Sequence, residues 1–294
     1  ATTHAKPLSM ATRLSALPVP DDPDVLAKAV SSSVSAAKGA FGQVTILMWT
    51  RTAMNYQYKF GGTFGESISA LVKEGGVGRL YSGVGFALLQ VPTSRFFDVL
   101  SNEVATTYLL PSLPLPLQNL AGAGVASVFR FALTPIDTLK STAQVAGAEG
   151  VRAIVEDPSL GRLYRGGLGN SAASIIGYYP FFLTYNYLTT LIPEEARTIE
   201  GEGLLAFLAY RAVVGVAASA TSDAFSNLVR VLKTYRQTDV DDVGWLEIFN
   251  RLKEEEGGDL AKVWTRGLGT RIGVNALQSG LFSVAWKFLQ ATTN

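Results

Sequence analysis

The amino-acid sequence predicts an all-α membrane protein: six transmembrane helices in three tandem two-helix repeats, each repeat with a short surface helix. Three observations predict it. The 294 residues are 48% apolar and only 17% charged, whereas a soluble domain carries about 25% charged residues. No ionisable side chain other than tyrosine occurs from Gly166 to Pro193, a run long enough for a helix to cross a hydrocarbon core, which takes about 20 residues. A glycine-turn motif recurs three times, as Arg79-Leu-Tyr-Ser-Gly-Val-Gly85, Leu163-Tyr-Arg-Gly-Gly-Leu-Gly169 and Val263-Trp-Thr-Arg-Gly-Leu-Gly269.

Aligned on Gly83, Gly167 and Gly267, the motifs lie 84 and 100 residues apart, and self-similarity of this kind marks a repeat protein. A short amphipathic stretch precedes each. Trp245, Ile248, Phe249 and Leu252 share one helical face, as do Phe64, Ile68, Leu71 and Val72, and more briefly Val151, Ile154 and Val155; such helices lie along a membrane surface. Acids sit near their ends at Glu74, at Glu156 with Asp157, and at Glu254–Glu256, the last run reading as a solvated helix end beside Lys253 and Lys262.

A long apolar helix precedes each surface stretch and another follows each glycine turn. The expected spans are Ala29–Gln57, Gly83–Tyr108, Gln118–Gln144, Gly167–Leu191, Gly203–Gln237 and Gly269–Leu289. They divide the chain into a tail (1–24) and three repeats (25–110, 111–195 and 196–294). Other charge-poor segments, such as Tyr81–Ser94 and Ile272–Trp286, are shorter than a full span. Charges that face a cavity escape the lipid penalty, so interrupted spans suit a bundle around a polar interior. Small-residue pairs, Gly122 with Ala126, Gly215 with Ser219 and Gly269 with Gly273, allow close helix packing in lipid.

Composition excludes several functions. Net charge is +1, which predicts no nucleic-acid partner. There is no cysteine, hence no disulfide or thiolate metal site. His4, in the tail, is the sole histidine, so no imidazole serves a catalytic constellation in the body of the chain. We expect no enzyme, no cofactor and no bound metal. Gly167-Leu-Gly-Asn-Ser-Ala172 is close to a dinucleotide fingerprint, but that motif needs a βαβ context, and here its core recurs before each second helix as a turn. Ala1–Pro20 has His4, Lys6 and Arg13 and no acid. Its composition is that of a transit peptide without the amphipathic stripe, and a flexible tail fits it equally.

The second repeat carries Thr134-Pro135-Ile136-Asp137-Thr138-Leu139-Lys140, then Gln144, then Leu163-Tyr164-Arg165-Gly166. This resembles the signature of the mitochondrial carrier family, and with the three turns the resemblance extends over nearly the whole chain. It implies a mitochondrial inner-membrane address, with a plastid envelope as the alternative, and cardiolipin contacts at the Gly83, Gly167 and Gly267 turns. It also implies a matrix gate in which Pro135 kinks the odd helix while Asp137 and Lys140 meet partners from other repeats.

Counting back from Gln57 and Gln237, the equivalents of proline, acid and base are Met48, Thr50 and Ala53, and Leu228, Arg230 and Lys233. One acid, Asp137, therefore remains to face Lys140, Arg230 and Lys233. No three-way charge ring can form, and Asp137 with Arg230 or Lys233 is the expected contact; the two cations equally suit phosphate or water at the membrane surface.

On the opposite side the aromatic-acid-x-x-base ends read Phe97-Asp98-Val-Leu-Ser101, Tyr185-Asn186-Tyr-Leu-Thr189 and Trp286-Lys287-Phe-Leu-Gln290. Asp98 with Lys287 is the expected cytoplasmic-side pair. The resemblance places the solute contacts at Leu89, Ala173, Ser174 and Asn275, none of them charged. Arg95, Arg130, Arg211 and Arg271 are substitute contacts, with Gln43, Tyr178 and Tyr179; Arg130 and Arg211, on odd helices, come first. Each arginine is equally an interhelical donor or a lipid-headgroup contact.

Two functions follow. Degraded gates and an uncharged contact set fit a carrier fold that serves as an accessory subunit of a larger inner-membrane complex, respiratory or ATP synthase. The tail and the Pro-rich Leu110–Leu117 loop would then be protein contacts. The alternative is a working carrier that exchanges a small neutral or zwitterionic metabolite by alternating access.

Overall fold

Helix α1 (Pro23–Phe60) bends at Leu47 (φ −113°, ψ 15°) without any proline. The polypeptide is described here by a computed structural model covering residues 23–105, 113–156, 159–192, 204–239 and 241–278, all-helical and without a strand over those residues. α2 (Phe64–Arg79) starts at a reciprocal cap: Thr63 Oγ1 accepts from the Glu66 N–H, and Glu66 accepts from the Thr63 N–H at 2.7 Å. That N–H holds the Glu66 carboxyl below its ordinary pKa. α3 (Val84–Val104) follows the first glycine turn. The third expected span is two helices, α4 (Leu115–Ala132) and α5 (Thr134–Val155), broken at Leu133 because Pro135 sits in the first turn of α5. Gly147 (φ +67°) bends α5 again and aims its end along a new direction.

After the short α6 (Leu160–Leu163) come α7 (Gly167–Thr190) and α8 (Leu204–Thr238), then α9 (Trp245–Glu255), α10 (Leu260–Thr265) and a helix over 268–278. The expected sixth span runs beyond 278, and residues 1–22 of the tail and 110–112 of the Leu110–Leu117 loop also lie outside the described residues. The amphipathic faces pack as patterned in part. Ile248 and Leu252 are fully buried against Met54, Tyr58 and Val231, and Leu71 packs on Ala53. Val72 and Val155 point outward.

Each glycine turn seats against the odd helix of the next repeat. The left-handed glycines are Gly83, Gly166 and Gly267 (φ +80°, +79° and +67°), which moves the second repeat's alignment point from Gly167 to Gly166. A Cβ on Gly83 would meet the Lys140 carbonyl at 3.0 Å; on Gly166, the Lys233 carbonyl at 3.1 Å; on Gly267, the Tyr58 ring at 2.7 Å.

An arginine beside each turn reaches backbone carbonyls where that same neighbouring helix bends or ends: before the Gly147 bend of α5, just past the end of α8, and in the last turn of α1. Arg79 donates to Ala143, Gln144 and Val145 at 2.8–3.1 Å, Arg165 to Asp241 O at 3.2 Å, and Arg266 to Lys59 O at 2.8 Å. The third contact closes repeat three on repeat one, so the order is cyclic. Glu255 and Glu256 accept from Arg266 at 2.9 and 3.2 Å, so this end of the acidic run anchors a turn and is not simply solvated.

Of the small-residue pairs, Gly122 approaches Asn102 Cα on α3, while Gly215, Gly269 and Gly273 face open space; Gly177 instead brings α7 close to Ser222 of α8. Repeat one also meets the end of α8 through Lys59 and Asp239 at 2.8 Å, with Lys59 over the Tyr235 ring. Burial pushes the Asp239 carboxyl up, but the Lys59 hydrogen bond and charge outweigh it and hold the group below its ordinary pKa. Its stabilising contribution is complete above the unfolded carboxylate pKa, about 4, and is lost as pH falls through the lower folded value. A pH series of thermal unfolding on wild type and Asp239→Asn should show the variant's deficit shrink on acidification below about pH 4; a pH-independent deficit would assign the loss to packing.

Candidate functional site

The helices enclose a central cavity of about 330 Å³ lined from α1, α3, α4, α5, α7, α8 and the 268–278 helix. Seven cationic and three acidic side chains line it. Several polar side chains are buried while large apolar ones face outward. Asp137, Thr138, Gln144, Asp223, Asn227 and Gln237 are buried at 3% exposure or less, whereas Ile46, Leu89, Val128, Leu183 and Val213 are 58–69% exposed.

At one end Asp137 joins two repeats. Lys140 approaches it at 2.6 Å, one turn along α5, and Lys233 of α8 at 2.5 Å. Gln237 donates to its second oxygen at 3.1 Å, and Lys140 also donates to Gln90 of α3 at 2.8 Å. Pro135 places this turn by starting α5. Arg230 does not join the group: its Nε donates to Ser226 Oγ at 3.1 Å.

Toward the other end, Arg130 grips Asp98 by two bonds, Nε at 3.0 Å and Nη2 at 2.6 Å, and donates through Nη1 to Ser174 Oγ at 2.5 Å. Both oxygens of Asp98 are thus engaged by a neighbouring helix, a forked geometry that favours arginine over lysine. Lys287, the expected partner of Asp98, lies outside the described residues. A third pair joins Arg271 to Asp223 at 2.5 Å, and Asn275 also donates to Asp223.

Of the expected solute contacts, Asn275 lines the cavity, Ser174 lies behind Arg130, and Ala173 is fully buried off the wall. Leu89 is 58% exposed and faces outward. Tyr178 is half-buried beside Phe182, with ring centroids 5.0 Å apart, and does not line the cavity. Tyr179 is 53% exposed. Gln43 donates to Gln278 at 2.8 Å. Arg211 belongs to α8, but its side chain lies outside the described residues.

The uncharged contact set is therefore not what the cavity presents. The error came from counting along helices from their terminal aromatics, which fixes a register but not where long arginines reach. Arg51 and Asp223 escaped the sequence reading. Their signal was there: Arg51 is the only charge between Lys38 and Lys59, and Asp223 the only acid between Glu202 and Asp239. An isolated charge in an apolar helix marks a functional interior.

Comparison with protein-family models finds no match, and comparison with curated proteins finds none either.

Proposed function

We propose that the chain is a six-span membrane carrier that holds a small solute in its central cavity and exchanges it across the membrane by alternating access. The observation that carries this reading is the cavity itself, with ten charged side chains facing inward and an apolar exterior. By length and composition one described helix, Ala212–Thr238, is apolar enough to cross a membrane. In α1, α3, α4 and α5 the apolar run is interrupted by Arg51, Arg95, Asp98, Arg130 and Asp137, which line the cavity and so need not meet lipid; α7 carries no such charge and owes its lower hydropathy to its Gly, Ser, Asn and Tyr residues. α3, with 21 residues, is about 32 Å long, enough for the hydrocarbon core. The three repeats, their glycine turns and the Pro135 break support the mitochondrial carrier resemblance and with it an inner-membrane address.

The second reading is an accessory subunit of an inner-membrane complex. It draws on one observation: Asp137 alone supplies acid to the gate at that end, so closure there has no three-way ring. Reconstitution into vesicles decides between them. A carrier gives saturable uptake of some small solute that depends on solute preloaded inside. An accessory subunit gives no exchange and comigrates in fixed ratio with a large complex from gently solubilised membranes.

A further inference from the structure

Among the described residues, the cavity carries more positive charge than their carboxylates neutralise. Seven cations face three carboxylates, and the carboxylates are taken: Asp98 by Arg130, Asp223 by Arg271, Asp137 by both Lys140 and Lys233. Arg51, Arg95 and Arg230 form no ion pair among the described residues. Arg230 donates to a serine hydroxyl and Arg51 Nη2 to the Gln278 amide oxygen at 3.2 Å, both neutral acceptors. Arg51 Nε is buried with no acceptor. Arg51 is repelled by Arg95 and Arg271, and Arg230 by Arg271 and Arg130, while both feel the attraction of Asp223, which is already paired with Arg271. Leaving buried guanidinium groups without a counter-charge is unfavourable, and an anion held in the cavity they line would supply it.

We infer that the cavity binds a small oxyanion carrying two or more negative charges, seated on Arg51, Arg95 and Arg230. This rests on the carrier reading of the same cavity. The guanidinium fork matches the paired oxygens of a carboxylate or phosphate. A volume of about 330 Å³ is at the small end of ligand cavities.

The placement of the arginines adds a second argument. Counting from Gln57, Gln144 and Gln237, Thr50 and Arg230 stand where the second repeat has Asp137, and Arg51 adjoins Thr50. Repeats one and three therefore lack the acid, and each contributes an arginine to the cavity wall instead, Arg51 and Arg230. A bound dianion supplies the negative charge missing there, so that the solute itself completes the contact between the two repeats. A neutral solute does not.

The test uses the full chain purified in detergent, with thermal unfolding followed against inorganic phosphate, succinate, uncharged succinamide and chloride at constant ionic strength. Phosphate or succinate should raise the midpoint saturably, and succinamide and chloride should not. Arg51→Gln and Arg230→Gln should each weaken the effective anion about 10- to 100-fold, the loss of one charge-assisted contact. Each should also leave the ligand-free midpoint unchanged or raised, because a repulsive cation is gone; a misfolded variant would lower it. Arg51→Lys should retain part of the binding.

The inference is overturned if neither anion stabilises saturably, if succinamide does as well, or if the glutamine variants bind as wild type does. Exchange of a neutral solute in vesicles with no response to anions overturns the anion class and keeps the carrier reading. Anion binding without exchange keeps the site and sinks the carrier reading.

Discussion

Asp137→Ala is expected to lower stability by about 3–5 kcal/mol, the range for breaking a buried ion pair and leaving its partner uncompensated. Asp137 is 2% exposed and, among the described residues, is the one carboxylate paired with Lys140 and Lys233, at 2.6 and 2.5 Å. Its removal strands two cations, and frees Gln237, which donates to it at 3.1 Å. In a thermal unfolding experiment on detergent-solubilised protein the midpoint should fall by roughly 10 °C. The double variant Asp137→Ala, Lys233→Met should recover a substantial part, because an apolar side chain of similar length leaves no unpaired charge. If the double variant is as unstable as the single, the defect is packing at α5 and not stranded charge. An unchanged midpoint for Asp137→Ala would show that cavity water solvates both lysines, and would remove Asp137 as the link between repeats two and three.

Gly166→Ala should be nearly as damaging. The backbone there is left-handed, φ +79°, which costs a residue with a Cβ about 1–2 kcal/mol. The new methyl would also stand 2.7 Å from Gln237 Cγ and 3.1 Å from the Lys233 carbonyl, and overpacking of this kind costs about 1–3 kcal/mol. The sum, about 2–5 kcal/mol, falls on the seam where the second repeat meets the third. Gly85→Ala is the matched control: the position is helical and its Cβ would meet nothing within 4 Å, so the change should be neutral or stabilising by up to about 1 kcal/mol. Equal loss in both variants would mean that the turn conformation is not what the glycine secures.

Much of this arrangement was legible along the chain. The apolar run from Gly166, the three turns and the short amphipathic faces each depend on neighbours within a few residues, and a linear reading sees such signals directly. Pro135 as a helix break is local for the same reason. The residues that pair are not local. Asp98 and Arg130 are 32 positions apart and Arg271 and Asp223 are 48 apart. Nothing in either segment names its partner, so Arg130 read as a solute contact and not as the partner of Asp98. The gate was legible by halves: Asp137 with a cation of the third repeat was expected, and the structure selects Lys233, sending Arg230 to Ser226.

The sequence by itself determined an all-helical chain, its threefold internal repetition and the position of the turns, because helix periodicity and left-handed glycine are properties of short segments. Tertiary structure alone decided which charges are spent on one another and which are left over. That balance depends on distances between side chains carried by different helices. Among the described residues it leaves a cavity with three arginines outside any ion pair, where the expected contact positions carried no charge.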